Sequence, residues 1–245
     1  MRLLITRPEA GPEGDPLAAA LTAMGHAVVQ APMLSVSYTD TVPNLAGAQA
    51  LIATSRNGLK AFIRRGLPGE AVLALPLLAV GPATAAFGRE IGFRTVVEGA
   101  GTGRELLAQI KSDIDPAAGV LVHLSGETLA VDLKGALEAA GFQVRREIVY
   151  QTHAASGFPD EVTAKLRAGL LDGVVLMSPR TAKVYAGLIT ELGLADSVRR
   201  LVHFCLSDAV GRALARLEPV NFAVARSPNS QEMLALIAHE ASESF

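Results

Sequence analysis

The sequence predicts an α/β fold with parallel sheets, and three observations support that class. Short apolar runs alternate with helical patterns along the whole chain, which is typical of parallel α/β proteins. Half of the 245 residues are apolar, yet aromatic residues are scarce and Trp is absent. The core must therefore be aliphatic, as it is in buried parallel sheets. The third observation is that the same units occur twice along the chain.

Ten apolar runs are predicted to be strands, at residues 2–5, 27–30, 50–53, 77–80, 95–97, 120–124, 143–150, 173–176, 203–206 and 222–225. Segments rich in Ala and Leu are predicted to be helices, at residues 15–24, 84–91, 103–111, 131–140, 160–168, 182–192, 209–217 and 230–239. A further helical pattern begins at Leu59. Four of the helices are followed by a glycine, the residue that most often ends a helix: Gly25, Gly92, Gly141 and Gly193.

The repeat is visible in the sequence itself. Residues 101–110 match residues 228–237 at an offset of 127, and residues 78–85 match 204–211 at an offset of 126. Residues 21–28 match 137–144 at an offset of 116, and Ser55 and Ser178 are 123 residues apart. The chain is therefore predicted to be a duplicated α/β unit of about five strands, the size of a flavodoxin-like domain.

The duplication can be divided into domains in two ways. A simple cut gives tandem domains, 1–115 and 116–245. A second cut joins residues 1–34 to 154–245 in a discontinuous domain and leaves 41–146 as the other. The connections, 35–40 and 147–153, are β-rich and could pair as a two-stranded ladder. The residues alone do not choose between the two cuts.

Candidate binding residues follow from the strand ends, because ligands of open parallel sheets bind beyond the carboxyl ends of the strands. Hydroxyl, amide, glycine and arginine residues dominate there, and they suit a ligand with several carboxylates or phosphates. The candidates are Thr6, Arg7, Thr54, Ser55, Arg56, Asn57, Gly81, Thr84, Ser125, Gly126, Ser178, Pro179, Ser207, Ser227, Asn229 and Ser230. For serines such as Ser55 and Ser178, the simpler interpretation is that each only caps a helix.

Several function classes are disfavoured by the sequence. A net charge of −2 does not indicate binding to nucleic acid. The single cysteine, Cys205, allows no internal disulfide and fits a reducing compartment. We expect a cytoplasmic protein without signal peptide or membrane span. The phosphate-loop, dinucleotide-binding and nucleophile-elbow motifs are absent, and the histidines lack metal-ligand spacing, so neither a cofactor nor a metal is expected.

Six short motifs occur in order along the chain: LITRP at 4–8, ATSRN at 53–57, AVGPATA at 79–85, VYQT at 149–152, LMSP at 176–179 and RSPNS at 226–230. With this ordered set the chain resembles the uroporphyrinogen-III synthases. The resemblance implies the discontinuous cut, with two flavodoxin-like domains joined by a two-stranded β-ladder hinge and an active site in the cleft between them. It also implies a monomer without a cofactor, whose substrate is hydroxymethylbilane, handed over by hydroxymethylbilane synthase.

The implied reaction cyclises this linear tetrapyrrole to uroporphyrinogen III, with loss of water and inversion of ring D, on the route to heme, chlorophyll or cobalamin. Carried over by motif, Tyr150 is the candidate acid and Thr84 matches a family threonine. The equivalent turn departs from the family pattern, because Val210 stands where many members have a second threonine. Tyr150 could instead be a linker residue that packs against a domain edge.

Two other functions remain open at this point. The first is a non-catalytic two-domain protein that binds a tetrapyrrole or another polyanionic small molecule. The second is a synthase-like paralogue that binds tetrapyrrole without turnover, which the departure at Val210 favours.

Overall fold

Strands and helices alternate throughout the computed structural model of the chain, which describes residues 1–7, 14–64 and 66–243. Pro8, which ends the first motif, lies outside these residues. The chain divides into two compact units. Unit 1 consists of Met1–Ser35 and His153–Phe245, and unit 2 is Val36–Thr152.

The strands are β1 Arg2–Ile5, β2 Ala27–Gln30, β3 Leu34–Tyr38, β4 Ala48–Ala53, β5 Leu77–Ala79, β6 Val96–Glu98, β7 Val120–Gly126, β8 Gln143–Ala154, β9 Gly173–Leu176, β10 Val202–Cys205 and β11 Asn221–Val224. The helices are α1 Pro16–Ala23, α2 Arg56–Ile63, α3 Glu70–Leu73, α4 Pro82–Glu90, α5 Gly103–Asp113, α6 Leu133–Glu138, α7 Asp160–Arg167, α8 Pro179–Glu191, α9 Ala195–Val198, α10 Asp208–Arg212 and α11 Ser230–Glu243. A 3-10 helix follows α10 at Ala215–Leu217.

The sheet of unit 1 has the order β2-β1-β9-β10-β11. Every neighbouring pair is parallel, for example Leu3 opposite Gly173 and Val202 opposite Asn221. Read along the chain this is the flavodoxin-like order 2-1-3-4-5. The predicted class of two flavodoxin-like parallel sheets is confirmed for this half of the chain.

The sheet that contains the strands of unit 2 has the order β3-β8-β7-β4-β5-β6. Its pairs from β8 to β6 are parallel, and β8-β7-β4-β5-β6 is the same 2-1-3-4-5 arrangement begun at a different point of the chain. Strands β7 and β8 thus occupy the places that β1 and β2 hold in unit 1. This equivalence is the one that the sequence repeat predicts.

Strands β3 and β8 form the ladder predicted for the connections. The amide of Thr39 donates to the carbonyl of Val149, and the amide of Ala155 donates to the carbonyl of Met33. From the first bonded pair to the second, the residue numbers change in opposite directions along the two strands, which is the antiparallel pattern. The boundary between the units falls within β3 and again at Thr152 and His153 within β8.

Each sheet is covered by aliphatic side chains on both faces, as the composition predicts. In unit 1 one face packs around Leu4, Val174 and Tyr185, and the other around Leu3, Val175 and Phe204. In unit 2 the corresponding clusters centre on Ile52 with Leu121 and on Leu51 with Val122. No helix within the described ranges is long and apolar enough to cross a membrane.

The structure differs from the sequence prediction at four places. Helices α3 and α9 are not predicted, because four residues are too few to show a helical period. The runs at 143–150 and 148–153 form the single strand β8 of 12 residues. The helix predicted over 209–217 is interrupted after Arg212, where Gly211 weakens it, and the 3-10 helix that follows ends at Leu217, two residues before Pro219.

Helix α2 lies against β7 at a distance that only glycine permits. A Cβ atom on Gly58 would lie 2.5 Å from the carbonyl oxygen of Leu124. We expect Gly58→Ala to destabilise the protein by about 1–3 kcal/mol, because the backbone must move.

Gly187 of α8 is the matched control: outside the backbone of its own helix, no atom lies within 4 Å of its added Cβ. Gly187→Ala should therefore stabilise by about 0.5–1 kcal/mol, the usual gain within a helix. Urea unfolding of both variants measures the difference, and equal effects would contradict it.

Candidate active site

Three of the predicted site residues, Thr54, Gly126 and Tyr150, line one cavity of about 410 Å³ in unit 2. We call it the Tyr150 pocket. Its other lining residues are Val80, Gly101, Thr102, Gly103, His123, Thr128, Leu129, Ala130, Val131 and Leu133. Thr54 and Gly126 stand where β4 and β7 end, so the pocket opens at the carboxyl edge of the sheet. A second cavity of about 350 Å³, around Pro43, Phe62 and Arg64, includes none of the predicted site residues.

The ring of Tyr150 is held against Gly126. A Cβ atom on Gly126 would lie 2.7 Å from two ring carbons of Tyr150 and 3.0 Å from its hydroxyl oxygen. The amide of Glu127 donates to the Tyr150 carbonyl and so ties the turn after β7 to β8. Within the described ranges no protein group hydrogen-bonds to the Tyr150 hydroxyl. The side chain is thus fixed in place while its hydroxyl stays available to a ligand.

His123 lies beneath the pocket in the apolar strand β7, 1% exposed. Its Nε2 is 3.3 Å from the hydroxyl oxygen of Thr54, and its Nδ1 is buried without a partner in the described part of the chain. Burial, and secondarily the charge of Arg146, lower the pKa of His123 to about 4. The imidazole is therefore neutral near pH 7.

Arg146 of β8 fixes the turn that leaves β7. Its Nε donates to the hydroxyl of Ser125 at 2.9 Å, and one terminal nitrogen donates to the carbonyls of Gly126 and Glu127 at 2.8 and 2.6 Å. Three acceptors from one turn leave the Gly126 backbone little freedom, since a planar guanidinium fixes their directions. Arg146 was not predicted as a site residue.

The far side of the pocket is formed at the start of α5. Thr102 and Glu105 form a capping box, in which the Thr102 hydroxyl accepts from the Glu105 amide and the Glu105 carboxylate accepts from the Thr102 amide. A Cβ atom on Gly81 would lie 2.9 Å from the Cα of Gly101. Glycine at 81, a predicted site residue, is thus required for the backbones to approach at this edge.

Ser55 and Ser178 have the same local structure in the two units. Each has extended backbone angles, φ −157° and −155°, and each hydroxyl oxygen caps its helix by accepting from a backbone amide 3.1 Å away. Ser178 also shares a hydrogen bond of 2.8 Å with the hydroxyl of Thr181. Both serines are therefore helix caps, although Ser55 accepts from the amide two residues on, at Asn57, and Ser178 from the amide three residues on, at Thr181. Arg56, Asn57 and Pro179 lie in the first turns of these helices.

The remaining predicted residues of unit 1 are spread over separate turns. Arg7 makes an ion pair of 3.3 Å with Asp15, which caps α1. Asn229 accepts from the amide of Glu232 at the start of α11, with Ser227 and Ser230 exposed beside it, and Ser207 precedes the short helix α10.

Two predicted hydroxyl residues are fully buried instead of lying at a ligand edge. Thr6 donates to the carbonyl of Val175 at 2.7 Å, and Ser125 accepts from Arg146. For Ser125 the physical reason is that its strand extends further than the apolar run: β7 continues to Gly126, so Ser125 is still a strand residue. Strand β1 does end at Ile5, and Thr6 directly after it is tied to the neighbouring strand β9 by its hydrogen bond to Val175. These two side chains stabilise the sheets from within.

The departure at Val210 has a plain structural description. Val210 is 1% exposed and packs in the core of unit 1, and Thr84, at the equivalent position of unit 2, is 5% exposed. The equivalent positions 84 and 210 are thus buried in both units. At 210 the valine places a methyl group in the core, where the hydroxyl of a threonine would need a hydrogen-bond partner.

A family model described as "Uroporphyrinogen-III synthase HemD" matches residues 15–235. A uroporphyrinogen-III synthetase from Helicobacter pylori is similar in structure, with a TM-score of 0.67 at 13% identity over 98% of this chain and 100% of that one. A mutant uroporphyrinogen III synthase from Thermus thermophilus has a TM-score of 0.60 at 16% identity, over 99% and 100%. No curated protein sequence matches significantly.

Two flavodoxin-like sheets, one with a mainly apolar pocket at the carboxyl ends of its strands, define an α/β protein of the kind that binds a small molecule at a sheet edge. Because the sequence identities are only 13% and 16%, these structural similarities support the fold alone. The family match covers most of the chain, and the chain belongs to the uroporphyrinogen-III synthase family. The enzymes of this family are lyases of tetrapyrrole biosynthesis that form uroporphyrinogen III, and this is the activity that the match supports here.

Proposed function

We propose that the Tyr150 pocket binds hydroxymethylbilane at its reacting end and that Tyr150 donates a hydrogen bond to the hydroxyl that leaves. One observation carries this assignment: the ring is fixed against Gly126 while its hydroxyl has no protein partner among the described residues. A phenol with an ordinary pKa of about 10 is a weak acid at neutral pH, but it is a good hydrogen-bond donor to a departing oxygen.

The reaction requires mainly that the protein position the substrate correctly. The carbon–oxygen bond of the hydroxymethyl group breaks, the oxygen leaves as water after taking a proton, and the electron pair of a pyrrole nitrogen stabilises the cation as an azafulvene. The substituted carbon of ring D attacks it to give a spirocyclic intermediate, in which the bond from that carbon to its original bridging carbon then breaks. The bridging carbon is left as a second azafulvene, the unsubstituted carbon of ring D bonds to it, and the hydrogen of that carbon leaves as a proton, which balances the proton taken up by the departing water. Because the pyrroles carry the charge, the protein contributes by holding the chain so that the correct carbon is reached.

The eight carboxylates of the substrate suit the predicted binding residues. Arg56, which is exposed, and Arg7, which is half-buried beside Asp15, supply positive charge, and the helix-capping turns supply backbone amides. Together with Asn57 and Asn229 they are the strongest candidates for carboxylate contacts. We include the turns at Thr54, Ser55, Gly81, Thr84, Gly126, Ser178, Pro179, Ser207, Ser227 and Ser230 in the proposed binding set. The buried side chains of Thr6 and Ser125 are not part of it.

We further propose that the two units are the two domains and that the protein acts as a monomer in the cytoplasm, receiving its unstable substrate from hydroxymethylbilane synthase. The single thiol, Cys205, is buried, and burial raises its pKa to about 12, which keeps it protonated and unreactive. A buried thiol of this kind fits a reducing compartment.

The test is an isomer-resolved assay. The protein is incubated with porphobilinogen and hydroxymethylbilane synthase, the products are oxidised, and the I and III isomers are separated. We expect the III isomer to predominate. Formation of the I isomer alone, at the rate seen without the protein, contradicts the activity. The same result with tight binding of the substrate supports a non-catalytic tetrapyrrole-binding protein instead.

A further inference from the structure

The histidine under the Tyr150 pocket has no role in the fold that an apolar residue could not fill. His123 is 1% exposed and lies between Val122 and Leu124, which are also buried. A buried polar side chain costs free energy unless it is hydrogen-bonded, and here one ring nitrogen, Nδ1, is without a partner in the part of the chain that is described. The other ring nitrogen, Nε2, lies 3.3 Å from the hydroxyl oxygen of Thr54.

The unpartnered nitrogen determines which tautomer is favoured. A neutral imidazole carries its proton on one nitrogen only. With the proton on Nδ1, the ring would bury a hydrogen-bond donor that nothing accepts, and buried unpaired N–H groups are rarer than buried unpaired acceptors. With the proton on Nε2, the ring donates to the Thr54 oxygen and Nδ1 is left as a bare lone pair. The second tautomer is the favoured one.

This tautomer decides what Thr54 can do. Once the Thr54 oxygen accepts from His123, the hydroxyl proton of Thr54 has to find another acceptor. Thr54 is partly exposed and lines the pocket, so its proton is available to a ligand. The Thr54 hydroxyl then acts as a directed donor, the kind of group that suits a carboxylate oxygen.

We propose that His123 is a positioning residue of the Tyr150 pocket: its Nε2–H fixes the Thr54 oxygen and thereby aims the Thr54 hydroxyl proton at a carboxylate of the bound tetrapyrrole. The substrate class rests on the proposed function, whereas the tautomer and the Thr54 geometry do not. The burial that holds the ring, together with the nearby Arg146, keeps it neutral near pH 7, so the donating state is the resting state.

The experiment is a double-mutant cycle that uses three substitutions of His123. His123→Phe keeps the ring volume and removes both nitrogens. His123→Gln places an amide N–H near the position of Nε2, and His123→Asn places it near Nδ1. Thr54→Val removes the hydroxyl at nearly constant volume. Steady-state isomer III kinetics are measured for each variant and for His123→Phe combined with Thr54→Val, and thermal unfolding shows which variants fold.

We expect Thr54→Val and His123→Phe each to raise KM by roughly three- to tenfold, the value of one neutral hydrogen bond, with kcat within about twofold. The double variant should match Thr54→Val alone, because His123 acts through Thr54. His123→Gln should retain the wild-type KM within about twofold, and His123→Asn should resemble His123→Phe. Additive effects in the double variant, or equal KM values for Gln and Asn, would overturn the proposal.

The ring tautomer is read independently, from the histidine ring nitrogen spectrum of the free wild-type protein, assigned with His123→Gln. We expect the signature of a neutral ring protonated on Nε2, and a ring protonated on Nδ1 would overturn the proposal even if His123→Phe does not fold. Wild-type isomer III formation tests the proposed function separately. If the wild type makes no III isomer, binding is measured instead by the quenching of uroporphyrin III fluorescence when the protein is added. The dissociation constants of the variants must then follow the pattern expected for their KM values.

Discussion

Tyr150→Phe is expected to slow uroporphyrinogen III formation by ~10²-fold, the typical effect of losing one positioned proton donor. Water must leave before the ring can close, and the Tyr150 hydroxyl contributes to that transition state. The ring itself stays against Gly126, so the stability should change little. The measurement needs isomer-resolved rates, because hydroxymethylbilane cyclises unaided to the I isomer and hides a slow enzyme.

Two kinds of control sharpen this result. Tyr38→Phe removes a phenol from β3, outside the pocket, and should leave the rate unchanged. Ser55→Ala and Ser178→Ala each remove a helix cap, which should cost about 1 kcal/mol of stability but no more than roughly tenfold in rate. If Tyr150→Phe keeps its isomer III rate within about threefold, far from the ~10²-fold donor effect, Tyr150 is a structural residue of the linker strand.

Acid should destabilise the wild-type protein more than His123→Gln, by up to about 3 kcal/mol. The folded pKa of His123 is about 4 and its ordinary value is 6.5. As the pH falls below 6.5 the unfolded chain takes up the proton first, so the unfolded state is favoured. The stability that the neutral ring allows is present above pH 6.5 and is lost as the pH falls to about 4. Glutamine does not titrate, so the variant lacks this component.

The comparison is made by urea unfolding at pH 7, 6, 5 and 4. Burial also lowers the pKa of His203 in β10, but His203 is present in both proteins and its contribution cancels in the difference. Parallel plots of unfolding free energy against pH for wild type and His123→Gln would contradict the buried, neutral state of His123.

Much of the fold could be predicted because parallel strands buried on both faces give continuous apolar runs. The equivalence of β7 and β8 to β1 and β2 could be predicted, because residues 21–28 match residues 137–144 in the sequence. Helices as short as Glu70–Leu73 could not be found, since one turn carries no periodicity.

The candidate site could be predicted less completely, and the reasons are physical. A strand does not end where its apolar run ends, so Ser125 looks like a turn residue in the sequence and is a buried strand residue in the structure. His123 is a single histidine in an apolar strand, and sequence shows neither that it lies below Thr54 nor that Nδ1 is unpaired. The one sequence feature that pointed to a site residue was the position of His123 two residues before Ser125, where the polar end of the strand begins. Arg146 gives no such hint, because its acceptors are mostly backbone carbonyls.

The place of β1 in its sheet has a consequence for synthesis on the ribosome. Leu3 pairs with Gly173, a separation of 170 residues, whereas all of unit 2 is contiguous from Val36 to Thr152. At about 5–20 residues per second, roughly ten to thirty seconds pass between the emergence of β1 and that of its second neighbour. Unit 2 can therefore complete its core while the first segment of the chain still has an unpaired edge. Unit 2 therefore begins to fold before the sheet of unit 1 is complete, and β1 is the strand that must wait.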